Sequence, residues 1–319
     1  MNDLHRLFPP LLAALLLFVS CSQKKSEAHA QANTRYTTYK GVLNVSADAG
    51  LESILKQQEQ IFEFMYDSVE LNITYKNEKE IFEDFRSKKS TAIVLARKME
   101  QAELNDLKNL DTIYTRELPI AYDAVALIGN KKFDDTKLDM EMLKKYFNPQ
   151  NADPSLPKLV FENQESSVVK YVLGVLGYKE KVSSNVYALK SAGEVIDYVS
   201  KTENAIGFVP YNLLSDADDT RVQGILKQIK ILCLRAKNKE GEVLRVSANQ
   251  SDIVTGDYPL IRTINAVTRY TYSDNLELLF IGFMSKEKGA KIFLKAGLIP
   301  VKTPEREIIV NEGPVRADK

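Results

Sequence analysis

From Gly41 onward the sequence alternates short apolar runs with stretches of helical period, and this alternation limits the fold more than any other feature of the chain. Strands are predicted at residues 42–46 (VLNVS), 69–75 (VELNITY), 91–96 (TAIVLA), 121–128 (AYDAVALI), 158–161 (KLVF), 205–209 (AIGFV) and 229–234 (IKILCL). In the stretch LESILKQQEQIFEFM, Leu51, Ile54, Leu55, Ile61, Phe62 and Met65 recur at a period of about 3.6, which predicts one apolar helix face. Further helices are predicted over residues 78–86, 100–109, 139–147, 167–176, 192–200, 275–284 and 286–296, with Ser285 as the cap between the last two. Strands that alternate with helices in this order predict an α/β architecture with mostly parallel sheets. No internal repeat is visible, and nothing cuts the chain into consecutive domains, so lobes built from interleaved segments are expected.

The amino end carries Arg6 and then the apolar run LFPPLLAALLLFV, which closes on Ser20-Cys21. A bilayer span needs roughly 20 apolar residues, and this run is shorter. It has the length of a signal-peptide core, with a small residue before the cut. The polar stretch that follows, SQKKSEAHAQANTRYTT, reads as a tether. A cysteine directly after the small residue resembles the lipobox of bacterial lipoproteins, although Phe18 stands where Leu is usual. That resemblance implies a signal peptide over residues 1–20, lipidation of Cys21 and a tether over residues 21–36. An ordinary secretory signal followed by a free cysteine is the alternative. On either reading the mature chain leaves the cytoplasm, and the lipid would hold it to a membrane, facing the periplasm or cell exterior.

Composition excludes several chemistries. Lys and Arg number 43, and so do Asp and Glu; no basic stripe stands out, so nucleic acid is not an expected partner. The two histidines, His5 and His29, lie in the signal and the tether. The folded part therefore has none of the Ser-His-Asp or Cys-His pairings, and none of the His-ligated zinc sites, that many hydrolases use. Cys233 sits within an apolar run and reads as a buried, inert thiol. Neither a Walker loop nor a G-x-S-x-G elbow is present. The chain reads as a binding protein rather than an enzyme, with no cofactor and no metal.

Three predicted strand-to-helix turns carry small or polar residues: Ser46-Ala47-Asp48-Ala49-Gly50, Ala96-Arg97-Lys98, and Asn163-Gln164-Glu165-Ser166-Ser167. A helix amino terminus has free N–H groups and a partial positive charge, so it can hold an oxyanion without a basic surface. Plain helix capping by the same residues is the competing reading at each turn.

These turns, together with the phrases TAIVLARKMEQAEL, IAYDAVALIGN, LKKYF, FENQESSVVKYV, NAIGFVPY, YPLIRTINAV and FIGFMSKEKGAKIFLKAGLIPV, resemble the phosphate-binding receptors of phosphate ABC transporters, in a lipoprotein branch of that family. The resemblance implies a type II periplasmic-binding-protein fold, with two α/β lobes that close on a ligand in the cleft between them. It implies one lobe from residues 37–120 plus 250–319 and another from 121–249. It further implies ligand contacts from Ser46, Ala47 and Asp48, from Arg97, from Tyr122 and Asp123, and from Asn163, Ser166 and Ser167. Asp48 or Asp123 would accept a proton carried by the bound phosphate. ABC permease subunits would be the protein partners, and the receptor itself a monomer. A module of the same fold that serves sensing, or takes another small anion, is the alternative. Departures from the family pattern gather in one loop: Glu162 and Asn163 stand near the place of an arginine, and Ser166-Ser167-Val168 replaces Ser-Gly-Thr. Ala96 stands where a serine often precedes the arginine of the other loop. Tyr258 is expected to pack at the crossing between lobes, with Pro259 shaping it.

Overall fold

A computed structural model describes residues 39–111, 115–151, 153–178, 181–269 and 275–303; the predicted signal, tether and lipidation site at Cys21 lie outside the described residues. In chain order the elements are β1 (Gly41–Asp48), α1 (Glu52–Met65), β2 (Val69–Lys76), α2 (Glu78–Arg86), β3 (Ala92–Leu95), α3 (Gln101–Asp111) and β4 (Thr115–Asn130). Then follow α4 (Met140–Phe147), β5 (Lys158–Glu162), α5 (Ser167–Leu176), β6 (Val186–Leu189), α6 (Ala192–Lys201), β7 (Ala205–Pro210), α7 (Thr220–Gln228) and β8 (Ile229–Ile231). The chain continues through β9 (Leu234–Lys237), β10 (Val243–Val246), α8 (Gln250–Thr255), β11 (Ile261–Arg269), α9 (Leu276–Ser285), α10 (Glu287–Lys295) and β12 (Ile299–Pro300).

The strands line up in the order β2-β1-β3-β11-β4-β7-β5-β6. Parallel pairing, as expected from the alternation, joins β1 to β2 and β3 at one end and β5 to β6 and β7 at the other. The middle is antiparallel. β4 runs beside β11 from Thr115 to Ala124, then beside β7 from Val125 to Gly129, so one long strand carries the sheet from the first lobe into the second. Its first residues, 115–120, were not expected as strand, because Arg116, Glu117 and Pro119 break the apolar run. Tyr258 is buried at this crossing, where its hydroxyl donates to the Val125 carbonyl at 2.7 Å.

Each lobe has an aromatic centre. Phe62 of α1 packs edge-on against Phe280 and Phe283 of α9. In the second lobe Phe161 of β5 stacks on Phe208 of β7 at 4.4 Å between centroids, with Phe147 of α4 against both. Full burial of such a side chain contributes roughly 1.5–3 kcal/mol. Gly207 fits here because a Cβ would come within 2.8 Å of Val195 and 2.9 Å of Ile128, so α6 reaches the sheet only over a glycine.

Four local expectations need correction. Ile61 is 41% exposed, and Gln58 takes its place inside, where its amide donates to the Gly289 carbonyl at 2.9 Å. Spacing 54, 58, 62, 65 follows the helix turn, and a polar side chain is tolerated on that line because its amide nitrogen finds a partner, although its Oε1 does not. The expected single strand 229–234 splits into β8 and β9, since the Cys233 N–H donates to Asp135 instead of a strand, at 2.8 Å. Cys233 itself is half-buried rather than buried. Ser285 ends α9 and donates to the Ile281 carbonyl, while Lys286 caps α10 with no side-chain bond.

Candidate functional site

Where the two lobes meet, four strand-to-helix turns surround one cavity of about 220 Å³. The sequence turns after β1 and β5 contribute Asp48, Ala49, Gly50, Asn163, Ser166 and Ser167. Two others were not foreseen: Lys76-Asn77-Glu78 after β2 and Lys190-Ser191 after β6. Three helix starts, of α2, α5 and α6, are held by their own caps, and Asp48 caps the single 3-10 turn, Ala49–Leu51, that leads into α1. The Asp48 carboxylate accepts from Gly50 N–H at 2.8 Å, Asn77 from Glu80 at 3.1 Å, Ser166 from Val169 at 3.3 Å and Ser191 from Glu194 at 3.3 Å. A cap uses one of the free N–H groups of a helix start, and the dipole of the rest still favours an anion.

Local chain geometry explains how β5 enters this arrangement. Asn163 has φ of 45°, in the left-handed region that Asn tolerates better than most side chains. Its carbonyl oxygen on the side chain accepts from Glu165 N–H at 3.1 Å, which fixes the turn that delivers Ser166 and Ser167 to the cavity. Gly50 lies equally tight on the other side, since a Cβ there would meet Pro210 at 3.1 Å and Asp48 Oδ1 at 3.2 Å.

Charge at the junction centres on Arg262 of β11, which is 2% exposed. Its Nε and one terminal nitrogen donate to Asp123 Oδ2 at 3.0 and 2.8 Å, and its other terminal nitrogen donates to Ser167 Oγ at 3.1 Å. Burial opposes a charge on Arg262, but Asp123, Asp48 and Glu162 outweigh it and push the guanidinium up. Asn212 completes the group: its backbone N–H reaches Asp123 at 3.2 Å and its amide reaches the Gly50 carbonyl at 3.0 Å. Asp48 is 4% exposed; its Oδ2 makes no hydrogen bond of ordinary geometry, although the Ser167 hydroxyl stands close enough to stabilise the carboxylate. Burial pushes the Asp48 carboxyl up from its ordinary range, with Arg262 pulling against it. A buried carboxylate oxygen left without a donor is costly, so its presence on a cavity wall marks a place where a ligand can supply one.

The sequence-predicted contacts divide. Asp48, Asn163, Ser166 and Ser167 face the cavity together. Asp123 is fully buried beneath it as the partner of Arg262. Ser46 and Ala47 do not line it: Ser46 is fully buried and donates to Asp84 at 2.8 Å, beside Ser90 and Thr74. Tyr122 is 38% exposed on the opposite face of β4 from Asp123, as the two-residue alternation of a strand requires. Arg97 is drawn elsewhere. Its guanidinium forks onto Glu78 at 2.9 and 3.1 Å and onto Glu103 at 2.7 and 2.9 Å, and it lines a separate open cavity of about 320 Å³ with Phe82 and Leu107. That larger cavity holds no unpartnered buried polar atom among the described residues, so size does not decide between the two. Arg262 lies within YPLIRTINAV, and nothing local in the sequence ties it to Asp123 across 139 residues.

Among the described residues no helix is long and apolar enough to cross a membrane, and no group of three His, Cys, Asp or Glu could hold a metal ion. Two α/β lobes on one crossing sheet, with a polar cleft at the ends of the parallel strands, define a solute-binding architecture. The chain belongs to the periplasmic-binding-protein (PBP) superfamily, whose domain pattern matches residues 26–294. No curated protein matches the sequence. Its fold is similar to that of a Clostridium perfringens protein crystallised with bound phosphate and assigned to a phosphate ABC transporter (TM-score 0.64, 20% identity, 82% of this chain and 100% of that one). It is also similar to an ABC-type phosphate transport receptor from Vibrio cholerae (TM-score 0.63, 14% identity, 82% and 100%) and to PstS from Borrelia burgdorferi (TM-score 0.56, 18% identity, 83% and 100%).

Proposed function

We propose that this chain is an extracytoplasmic solute-binding lipoprotein, anchored through Cys21, that captures inorganic phosphate or a similar small oxyanion for an ABC importer, and that it is not an enzyme. The observation that carries this reading is the convergence of three capped helix starts and the Asp48-capped turn before α1 on a cavity whose wall holds Asp48 Oδ2, which makes no hydrogen bond of ordinary geometry. Backbone N–H groups, the Ser166 and Ser167 hydroxyls and the field of Arg262 supply donors and positive potential for the anion. Asp48 supplies the one thing an unprotonated anion cannot match, an acceptor that needs a proton. Sulfate would place two acceptors face to face, and phosphate would bring the missing hydrogen. The lobes, from residues 37–120 plus 250–319 and from 121–249, would close on the ligand by hinge motion, and permease subunits would read the closed form.

A thermal-shift panel of phosphate, arsenate, molybdate and sulfate, on protein refolded to strip bound ligand, tests the reading. Phosphate at 100 times its Kd is expected to add about 2.7 kcal/mol of stability. Silence toward every oxyanion would refute it.

A further inference from the structure

The cleft holds a second carboxylate with no counterpart in the proposed phosphate role. Glu162 ends β5, one residue before the left-handed turn at Asn163, and lines the same cavity as Asp48. The groups facing it are Asp48 from β1, Arg262 from β11, Lys76 and Glu78 from the turn after β2, and Lys190 from the turn after β6. Most of the positive charge among them is already committed. Arg262 directs three of its bonds to Asp123 and Ser167, Lys76 donates to Asp84 at 2.5 Å, and Glu78 is taken by Arg97 and Lys170. The Ala192 N–H donates to Glu162, and Lys190 stands exposed at the rim. An oxyanion seated here therefore faces a buried carboxylate, Asp48, and a half-buried one, Glu162, at once, and each contact of oxygen with carboxylate is repulsive unless a hydrogen lies between them.

We propose that the cleft binds its oxyanion with two protons, one shared with Asp48 and one with Glu162, so that H₂PO₄⁻ is the species captured and HPO₄²⁻ is refused. This rests on the phosphate reading and deepens it. Both protons arrive on the ligand's hydroxyls and stay in the complex, and no bond other than hydrogen bonds forms or breaks. The helix starts and Ser hydroxyls serve the two remaining oxygens. Burial pushes both carboxyls up, and the charge of Asp48 adds to the effect on Glu162 while Arg262 opposes it, so each is a strong acceptor for a ligand hydroxyl. A single carboxylate would accept either phosphate species and give an affinity indifferent to pH; the second carboxylate makes affinity follow the monoanion.

Calorimetric titration of the full chain with inorganic phosphate between about pH 6 and about pH 9 decides the matter. Above the second ionisation of phosphate, Kd is expected to weaken roughly tenfold per pH unit, the linkage for one proton. Glu162→Gln, whose amide can donate to an unprotonated oxygen, is expected to flatten that slope. A Kd that stays flat or tightens as pH rises would overturn the two-proton site and leave the phosphate receptor standing. An unchanged slope in Glu162→Gln would overturn the part given to Glu162. Absence of phosphate binding at every pH would overturn the receptor reading beneath it. Should the variant fail to fold, the wild-type slope alone answers.

Discussion

Two arginines in this molecule, Arg97 in the turn after β3 and Arg262 within β11, lie near the same lobe junction, and they do opposite things. Arg97 sits in a turn with the look of an anion site, yet its fork is filled by Glu78 and Glu103, which leave its charge neutralised at a partly exposed surface. Arg262 sits inside a strand, fully buried, and anchors Asp123 and Ser167 under the cavity. A local motif shows that a cation is present. Whether that cation is free for a ligand depends on carboxylates brought in from other elements, and here α2 and α3 supply two of them to Arg97.

The difference is broken most forcefully at Arg262. Arg262→Met leaves Asp123 buried without its charge partner, and removing one member of a buried pair costs about 3–5 kcal/mol. Chemical denaturation is expected to show a loss of that size, with phosphate binding abolished because Ser167 loses the donor that positions it. If stability fell by less than about 1 kcal/mol, Asp123 would have another source of compensation and the contrast between the arginines would lose its basis.

Arg97→Gln sharpens the contrast at a smaller scale. Glu78 is almost wholly buried and loses two charge-assisted bonds but keeps Lys170, so a cost of about 1–3 kcal/mol is expected, with phosphate Kd within about twofold of wild type. The sign with pH is fixed. Burial penalises the Glu78 charge, but Arg97 and Lys170 hold its carboxyl below the usual range. A depressed carboxylate contributes stability above its unfolded pKa and loses it as pH falls through the folded value. The gap between wild type and Arg97→Gln in denaturation experiments should therefore close as the solution is acidified below about pH 4. A large loss of phosphate affinity in this variant would return the 96–98 turn to the binding site.

The fold was legible because its signals are local. The period of α1, the Gly-bounded β1 and the cap at Ser166 can each be read within one turn or strand, and helices 78–86 and 167–176 were expected at the residues observed. β6, α7 and α8 are short or polar and were not expected, and β4 was read only over its apolar second half. The site was legible in part for the same reason. Asp48, Asn163, Ser166 and Ser167 announce a helix start, whereas the pairing of Asp123 with Arg262, the capture of Ser46 by Asp84 and the closure of Arg97 by Glu103 and Glu78 arise from the tertiary fold. Two residues four apart reveal each other in a sequence. Two residues 139 apart do not.

The smallest effect concerns the bond that crosses the lobes. Lys170 of α5 donates to Glu78 at 3.1 Å from a half-exposed position, so Glu78 joins the closed arm of Arg97 in the first lobe to the second lobe. Solvent screens such a pair, and its contribution to stability is about 0–1 kcal/mol. If the lobes close on the ligand as proposed, loss of this bond across the junction acts on closure more than on folding, and closure is linked to ligand affinity. Lys170→Met is therefore expected to leave the denaturation midpoint nearly unchanged, to weaken phosphate binding by about two- to fivefold at low salt, and to match wild type at high salt, where the pair is screened. Titrations of both proteins at low and high salt measure this directly. A salt-independent loss would mean that Lys170 touches the ligand itself, and Glu78 would then be a member of the binding site rather than the hinge between a structural arginine and a closing lysine.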